Sequence, residues 1–424
     1  MTVSVVGLGY IGLPTALLLA RTREVVGVDI DEEVVETLND GSLPFEEPGL
    51  EKLFAEVADN VSAQTTVPAD ADAYLVATPT PLDEVTEVAN LRYVGAAAES
   101  VAAKLDPGDL VVLESTVPPG TSERLVLPIL ERDGPDEGGV HYAHCPERAS
   151  PGATLEEMVH NDRLVGGVDD ASRDRTVDLY DFAEGEIHPT NPTTAEFVKL
   201  MENTYRDVNI ALANEFAMLG EEYAVDTRRA IELANEHPRV DVHSPGPGVG
   251  GHCLPIDPQF LTQSTTDSRL ISVARDINES MAVHTLRHVR RLVDRVAHAR
   301  VTVLGVAYKG NVDDTRETPA LRLLRLAENE GFDVCASDPR VDDAEFAYSL
   351  STLDDAVADS DCLVVVTDHA EYTDLDPEAL AAQMRQPAVV DTRGILDVDR
   401  WLDAGFAVSR LGDGRREGSV GGRR

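Results

Sequence analysis

The sequence predicts an α/β protein in which two doubly wound parallel sheets are joined by a helical middle segment. Three observations carry this reading. A strand, glycine turn, helix and second strand open the chain, a long helical periodicity fills its centre, and a similar strand–loop–helix–strand pattern restarts near residue 300. At 424 residues the chain can hold two or three domains, each burying its own core.

The first unit reads TVSVVGLGYIGLPTALLLARTREVVGVDID. A β-branched run, Val3 to Val6, meets the turn Gly7-Leu8-Gly9-Tyr10-Ile11-Gly12, and an apolar helix pattern runs from Leu13 to Ala20. A second strand, Val25 to Val28, ends in Asp29, twenty-two residues beyond the first glycine. GxGxxG alone is a weak signal, but with a strand before it, a helix after it and an acid at this distance it is the Rossmann-type dinucleotide turn. The glycines let the backbone approach a pyrophosphate, and the helix N-terminus stabilises its charge. Asp29 accepts hydrogen bonds from ribose hydroxyls and repels a 2′-phosphate, which favours NAD over NADP. A glycine-rich turn that binds nothing is the weaker alternative.

Further strands are expected at AYLVATPTP, LVVLESTVPPG and HYAHCPERASPG, each running into small, hydroxylated or proline-rich residues. Loops at the carboxyl edge of a parallel sheet look like this, so Thr78, Ser115 and Thr116 are expected to face the cofactor crevice, with Glu147 on a neighbouring loop. From Thr193 the pattern becomes helical, with a second helical stretch from Arg269 to about Val296; Leu200, Met201 and Val208 are expected to be buried. A helical segment between two sheets is commonly a dimerisation element. The unit beginning ARVTVLGVAYKG has Gly305 followed by Gly310 without GxG, so it is a second doubly wound domain lacking the dinucleotide fingerprint. The expected domains are 1–190, 191–297 and 298–410, with a glycine- and arginine-rich tail, 411–424, expected to be disordered.

The formal net charge is −41, with only four lysines: Lys52, Lys104, Lys199 and Lys309. Such a field repels nucleic acid and acidic membranes. Acid spread through periodic segments suits a concentrated-salt cytoplasm, where repulsion is screened over a few ångströms. No signal-peptide pattern opens the chain and no apolar run is of membrane-spanning length, so a cytoplasmic protein is expected. Cys145, Cys253, Cys335 and Cys362 form no CxxC pair and have no nearby histidine at ligand spacing, so neither a metal site nor a disulfide framework is expected.

Cys253 is set in SPGPGVGGHCLPIDP, where glycines permit close backbone approach and prolines rigidify the path. A buried, inert thiol is the commoner fate of a free cysteine, but core positions lie in periodic segments and this one does not. Lys199 and Asn203 are one helical turn apart. In a chain that uses arginine nearly everywhere, Lys199 and Lys309 point to a need for an ammonium rather than a guanidinium. Asp257 before Pro258 reads by local pattern as a helix N-cap with proline at the next position, and His252 as a packing residue. A reactive cysteine beside an NAD domain implies oxidation at the aldehyde level through a thioester.

At these residues the sequence resembles the nucleotide-sugar 6-dehydrogenases of the UDP-glucose and GDP-mannose dehydrogenase type, from about residue 2 to 400. The marks are GLGYIGLPTA, ESTVPPG, CPER, NDRLVGG, TAEFVKLMENTYRDVNIALANE, HPRVDVHSPGPGVGGHCLPIDP and GVAYKGNVDDTRETPA. GPGVGGHC and ENTYRDVNIALANE look most like the branch acting on UDP-N-acetyl-D-mannosamine. UDP-glucose enzymes typically have serine in place of His252 and a second glutamate where this chain has Pro151.

The resemblance implies an NAD domain, a helical dimer-forming middle and a UDP-binding domain. It implies a four-electron oxidation of the sugar C6 by two NAD⁺ through a thioester on Cys253. By position, Lys199 stabilises oxyanions, Asn203 binds near the reacting oxygen, and Asp257 with Thr116 positions or activates water, which raises Asp257 above the cap reading. Glu147 matches a glutamate near that water. Arg148, Gly250 and Lys309 fall among the substrate contacts, Arg316 among contacts to substrate and cofactor, and Arg239 matches an arginine that reaches the substrate of a partner subunit, which implies a homodimer or larger homo-oligomer. The alternatives are the same chemistry on UDP-N-acetyl-D-glucosamine or UDP-glucose, a two-electron hydroxyacid dehydrogenase that leaves Cys253 idle, and a non-catalytic nucleotide-sugar sensor.

Overall fold

A computed structural model describes residues 1–414 apart from 84, 85, 87, 136–138, 264 and 266. The chain forms two compact units, residues 1–202 with 259–265, and residues 203–258 with 266 onward.

The first unit is built on eight strands: β1 (Thr2–Val6), β2 (Glu24–Val28), β3 (Val61–Gln64), β4 (Ala73–Val76), β5 (Leu110–Leu113), β6 (His141–His144), β7 (Arg163–Gly167) and β8 (Ile187–Thr190). They lie in the order β3-β2-β1-β4-β5-β6-β7-β8, parallel except where β7 runs against β6. Strand residues alternate between two apolar layers. Val3, Val5, Leu75 and Val112 pack with Leu13 and Leu17 of the helix Gly12–Leu19, whereas Tyr74, Val76, Val111 and Leu113 pack with Val94, Ala98 and Val101 of the helix Arg92–Ala102. Burial on both faces is why these strands read as continuous apolar runs. Each such Val or Leu contributes roughly 1.5–3 kcal/mol. The strand order reverses between β1 and β4, which opens a crevice at their carboxyl ends.

The second unit carries five parallel strands: β9 (Arg300–Leu304), β10 (Asp333–Ser337), β11 (Cys362–Val365), β12 (Ala388–Asp391) and β13 (Ala407–Arg410), in the order β10-β9-β11-β12-β13. Val301, Val303, Val364 and Val390 face the helix Pro319–Asn329 and the end of the helix Arg269–Val293, while Leu363, Val365 and Val389 face Trp401, Phe406 and Leu380. The fold class expected from the sequence is the one found.

The central helices are Pro192–Glu222 and Arg269–Val293. Within the second unit a buried polar junction joins them. Arg275 donates to Asp207 at 2.7 Å, and the Asn278 amide donates to the same carboxylate at 2.9 Å. Asn214 donates to Asn278 at 2.9 Å and accepts the Gly246 N–H at 2.8 Å, which ties the start of the cysteine loop to both helices. Of the three residues expected to be buried on the first helix, Leu200 is buried and Val208 half-buried, but Met201 is 50 % exposed. Met201 belongs to an apolar stripe that faces away from the core of this chain. The tail expected to begin at 411 starts with packed residues. Leu411 is buried against Ala217 and Met281, and the backbone of Asp413 forms an antiparallel bridge with that of Asp226; residues 415–424 lie outside the described residues. Among the described residues no helix is long and apolar enough to cross a membrane.

Candidate active site

The glycine turn divides its labour. Gly7 has φ +95°, and a Cβ there would stand 2.6 Å from the carbonyl oxygen of Ala77, at the end of β4. A Cβ on Gly12 would collide with the Gly7 carbonyl, so these two glycines are required by the fold itself. Gly9 differs, since a Cβ there would meet nothing within 4 Å. Its open face is where a ligand backbone can approach. Tyr10 lies beside Phe45 with ring centroids 4.4 Å apart, and Ile11 is half-buried. The Asp29 carboxylate accepts N–H bonds from Leu8 at 2.8 Å and Asp31 at 3.0 Å, which fixes it at the end of β2. Across the crevice, Ser115 donates to the Thr78 carbonyl and Thr80 to the Thr116 carbonyl, both at 2.7 Å. The Thr78 hydroxyl is buried without a hydrogen-bond partner. An open glycine face, a fixed carboxylate and an unsatisfied hydroxyl fit a dinucleotide at this edge.

The same unit positions Glu147, Arg148, Thr116 and Lys199. Glu147 is buried, accepts the N–H groups of Arg148 at 2.6 Å and Ala149 at 2.8 Å, and takes Arg163 at 2.9 Å on its other oxygen. Arg163 in turn stacks on Tyr180, 4.6 Å from the ring centroid. Arg148 forms a bidentate pair with Glu202 on the long helix and donates to the Asp162 carbonyl. The buried Glu196 carboxylate accepts the N–H groups of Gly120 and, at 2.7 Å, Ser122. It therefore pins the Thr116 loop to the helix that carries Lys199 one turn later. Lys199 is 8 % exposed and Thr116 half-buried.

Cys253, in the second unit, is the one exposed thiol of the four cysteines; Cys145 and Cys362 are buried and Cys335 half-buried. Its carbonyl accepts the N–H groups of Ile256 at 3.1 Å and Asp257 at 2.8 Å, closing a turn just before the helix Asp257–Thr262. Gly251, with φ +88°, donates to the Arg316 carbonyl at 2.9 Å, and a Cβ on Gly250 would stand 2.7 Å from the Glu317 carbonyl oxygen. The glycines before Cys253 thus let its loop lie flat against the Tyr308–Glu317 segment. Asn203 donates its amide to Asp257 at 2.5 Å, with both side chains buried. His252 is half-buried, and burial, reinforced by Arg316, lowers its pKa, which suits a packing residue.

Arg316 pairs through two nitrogens with Asp314, while Lys309 and Arg239 are exposed on loops of this unit. Of the predicted residues, the structure brings together Asn203, Asp257 and the Cys253 turn in one unit, and the Thr116 loop, Glu147, Arg148 and Lys199 around the start of one helix in the other. Sequence reasoning gave no role to Arg163, Glu196 or Glu202. Arg163 stands in NDRLVGG, and Glu196 and Glu202 flank Lys199 by one turn on either side, but their partners are distant in the chain.

Residues 1–184 match the NAD binding domain of the UDP-glucose/GDP-mannose dehydrogenase family, residues 193–280 its central domain and residues 302–398 its UDP binding domain. A UDP-N-acetyl-D-mannosamine dehydrogenase from Methanocaldococcus jannaschii is 42% identical, the match covering 97% of each chain. An NDP-N-acetyl-D-galactosaminuronic acid dehydrogenase from Ralstonia nicotianae is 40% identical over 94% of this chain and 97% of its own. The solved UDP-D-ManNAc dehydrogenase of Pyrococcus horikoshii superposes with a TM-score of 0.91 at 38% identity, covering 98% of this chain and all of that one. With all three domain types matched in order, and with relatives of this identity over nearly the whole length, the chain belongs to the UDP-glucose/GDP-mannose dehydrogenase family.

Proposed function

We propose that this chain oxidises the C6 hydroxyl of UDP-N-acetyl-D-mannosamine to the carboxylate, with two NAD⁺ and one water consumed and two NADH and three protons released. The observation that supports it most is Cys253, an exposed thiol on a turn whose next element begins with the buried Asn203–Asp257 pair. The Gly9 face, Asp29 and Thr78 would hold NAD⁺, which would supply the hydride acceptor for two oxidation steps. In the first, Lys199 and Asn203 stabilise the alkoxide as the alcohol becomes an aldehyde. The Cys253 sulfur then adds to the aldehyde carbon, and Lys199 stabilises the thiohemiacetal oxyanion. Loss of a hydride leaves a thioester, which water cleaves; Asp257, with Thr116, positions that water and takes its proton. Glu147, tied down by Arg163 and two amides, orders the loop beside it. Arg148, Gly250, Lys309 and Arg239 contact the substrate, and Arg316 contacts substrate and cofactor.

The working domains are 1–190, 191–297 and 298–410, in a cytoplasmic protein adapted to concentrated salt by its net charge of −41. The assembly is a homodimer through the helix Pro192–Glu222, whose Phe197, Met201, Tyr205, Leu212, Phe216 and Leu219 are all exposed along one face. The assay is NADH formed per sugar in molar KCl with UDP-N-acetylmannosamine, UDP-N-acetylglucosamine, UDP-N-acetylgalactosamine and UDP-glucose. Two NADH from the mannosamine compound alone is the expected result. One NADH per sugar would remove Cys253 from the reaction, and two from another sugar would move the specificity.

A further inference from the structure

We propose that Glu221, His284 and His288 form a binding site for one zinc ion, which clips the end of strand β13 to the two central helices. Cysteine spacing gives no hint of it, because its donors are imidazole and carboxylate. His284 and His288 are four residues apart on the helix Arg269–Val293, hence on one face, and Glu221 is next to last in the helix Pro192–Glu222. The three side chains each offer one donor atom, all within 4.8 Å of one another.

The two histidine Nε2 atoms stand 3.3 Å apart, and Oε1 of Glu221 is 3.2 Å from Nε2 of His284 and 3.1 Å from Nε2 of His288. Zinc bonds of about 2.0–2.1 Å at tetrahedral angles put neighbouring donor atoms roughly 3.3 Å apart. The triangle therefore already has the edges of one face of a zinc tetrahedron, and a solvent molecule would complete the four.

The alternative is that both imidazoles donate an N–H to the carboxylate. That arrangement sets two N–H groups side by side at 3.3 Å, where their like dipoles repel, while donation of one Nε2–H to the other ring turns a bare Nε2 lone pair toward a carboxylate oxygen 3.1 Å away. Metal ligation removes the conflict by using both Nε2 lone pairs. His288 Nδ1 is 2.7 Å from the Ser409 hydroxyl, and a bond of this kind on the far nitrogen fixes the ring orientation of a ligating histidine. The Gly412 N–H donates to Glu221 at 2.9 Å, so strand β13 and the turn after it are joined to the donor set at two points. Arg291 lies 3.8 Å from the Glu221 carboxylate with a half-exposed side chain, and its charge opposes a cation.

The test uses the full chain stripped with chelator and titrated with ZnCl₂, in a Cys253→Ser background so that the exposed thiol takes no metal. One zinc per chain is expected by elemental analysis, together with a rise in Tm that His284→Ala and His288→Gln abolish. Ser409→Ala is expected to weaken binding roughly tenfold, and Arg291→Ala to tighten it, so two variants of opposite sign decide the matter even where a histidine variant folds poorly. Cobalt in place of zinc is expected to give the visible absorption of a tetrahedral site. Absence of stoichiometric zinc, or zinc retained unchanged in the histidine, Ser409 and Arg291 variants, would overturn the proposal.

Discussion

Asn203 donates its side-chain amide to the Asp257 carboxylate at 2.5 Å, and both side chains are buried. Asp257 is the first residue of the helix Asp257–Thr262, so the position that reads as a cap from sequence is in the helix, with its carboxylate turned to Asn203. In the proposed mechanism this carboxylate serves the thioester-hydrolysis half of the reaction, whereas oxidation up to the thioester needs only the thiol and an oxyanion partner. Asp257→Asn is therefore expected to give a burst of two NADH per subunit in rapid mixing, followed by turnover slowed roughly 10²–10⁴-fold. The burst should leave the chain heavier by the mass of the acyl group. A slow first NADH would place Asp257 in the oxidation steps instead.

Removing the amide acts differently. Asn203→Ala leaves a buried carboxylate without that donor, at about 1–3 kcal/mol of stability, and withdraws the oxyanion contact proposed for it, at roughly 10²-fold in kcat. Both readouts should move together, as a lower Tm and a slower first hydride transfer. An unchanged first step would restrict Asn203 to holding Asp257.

Thiol accessibility separates Cys253 from the buried cysteines. Burial pushes the Cys145 thiol up to about 12, partly offset by Arg163, and pushes Cys362 up as well. Alkylation of the native protein at pH 8 is expected to modify Cys253 first and to spare Cys145 and Cys362 until denaturant is added, as read by peptide mass. UDP-sugar should protect Cys253. Equal modification of the buried pair would contradict the burial seen here.

The parts of the site legible in the sequence are those whose chemistry is local. The glycine turn with Asp29, the spacing of Lys199 and Asn203, and the rigid loop around Cys253 each declare themselves within a few residues. Glu196 does not, because the amides it accepts are on the Thr116 loop more than seventy residues earlier. The same holds for Arg163 with Glu147, and for Glu221 with the two histidines, where only the four-residue step is visible beforehand. Met201 fails for another reason: helical periodicity reports an apolar stripe without saying which stripe faces the core of its own chain. The exposed stripe and the buried one follow the same spacing rule.

Glu114, inside ESTVPPG, illustrates a buried acid with a measurable signature. It is 2 % exposed, accepts the Tyr180 hydroxyl at 2.6 Å, and burial raises its pKa from 4.5 to about 7 despite that bond and the nearby Arg163. A carboxyl raised in the folded state keeps its proton after the unfolded chain has lost it. Its stabilising contribution is full below pH 4.5 and is lost as pH rises through about 7. Relative to Glu114→Gln, the native protein is expected to lose about 2.5 kcal/mol between pH 5 and 8, measured by urea unfolding in molar KCl. Parallel curves for the two proteins would show that Glu114 is ionised throughout.

The glycine turn allows ligand binding to be separated from folding within one motif. Gly12→Ala drives a methyl into the Gly7 carbonyl, and neither backbone can yield without moving β1 or the helix it feeds. A loss of about 1–3 kcal/mol or more is expected, with Tm reduced whether or not NAD is added. Gly9→Ala adds the same methyl where nothing lies within 4 Å, so the free protein should keep its Tm. That methyl occupies the face a pyrophosphate must approach, and KM for NAD⁺ should rise at least tenfold, a penalty of about 1.4 kcal/mol. The stabilisation that NAD⁺ gives the native protein in a thermal melt should shrink by the same factor in affinity. If Gly9→Ala destabilised the free protein as Gly12→Ala does, the open face would be part of the fold, and the dinucleotide would have to approach the turn from elsewhere.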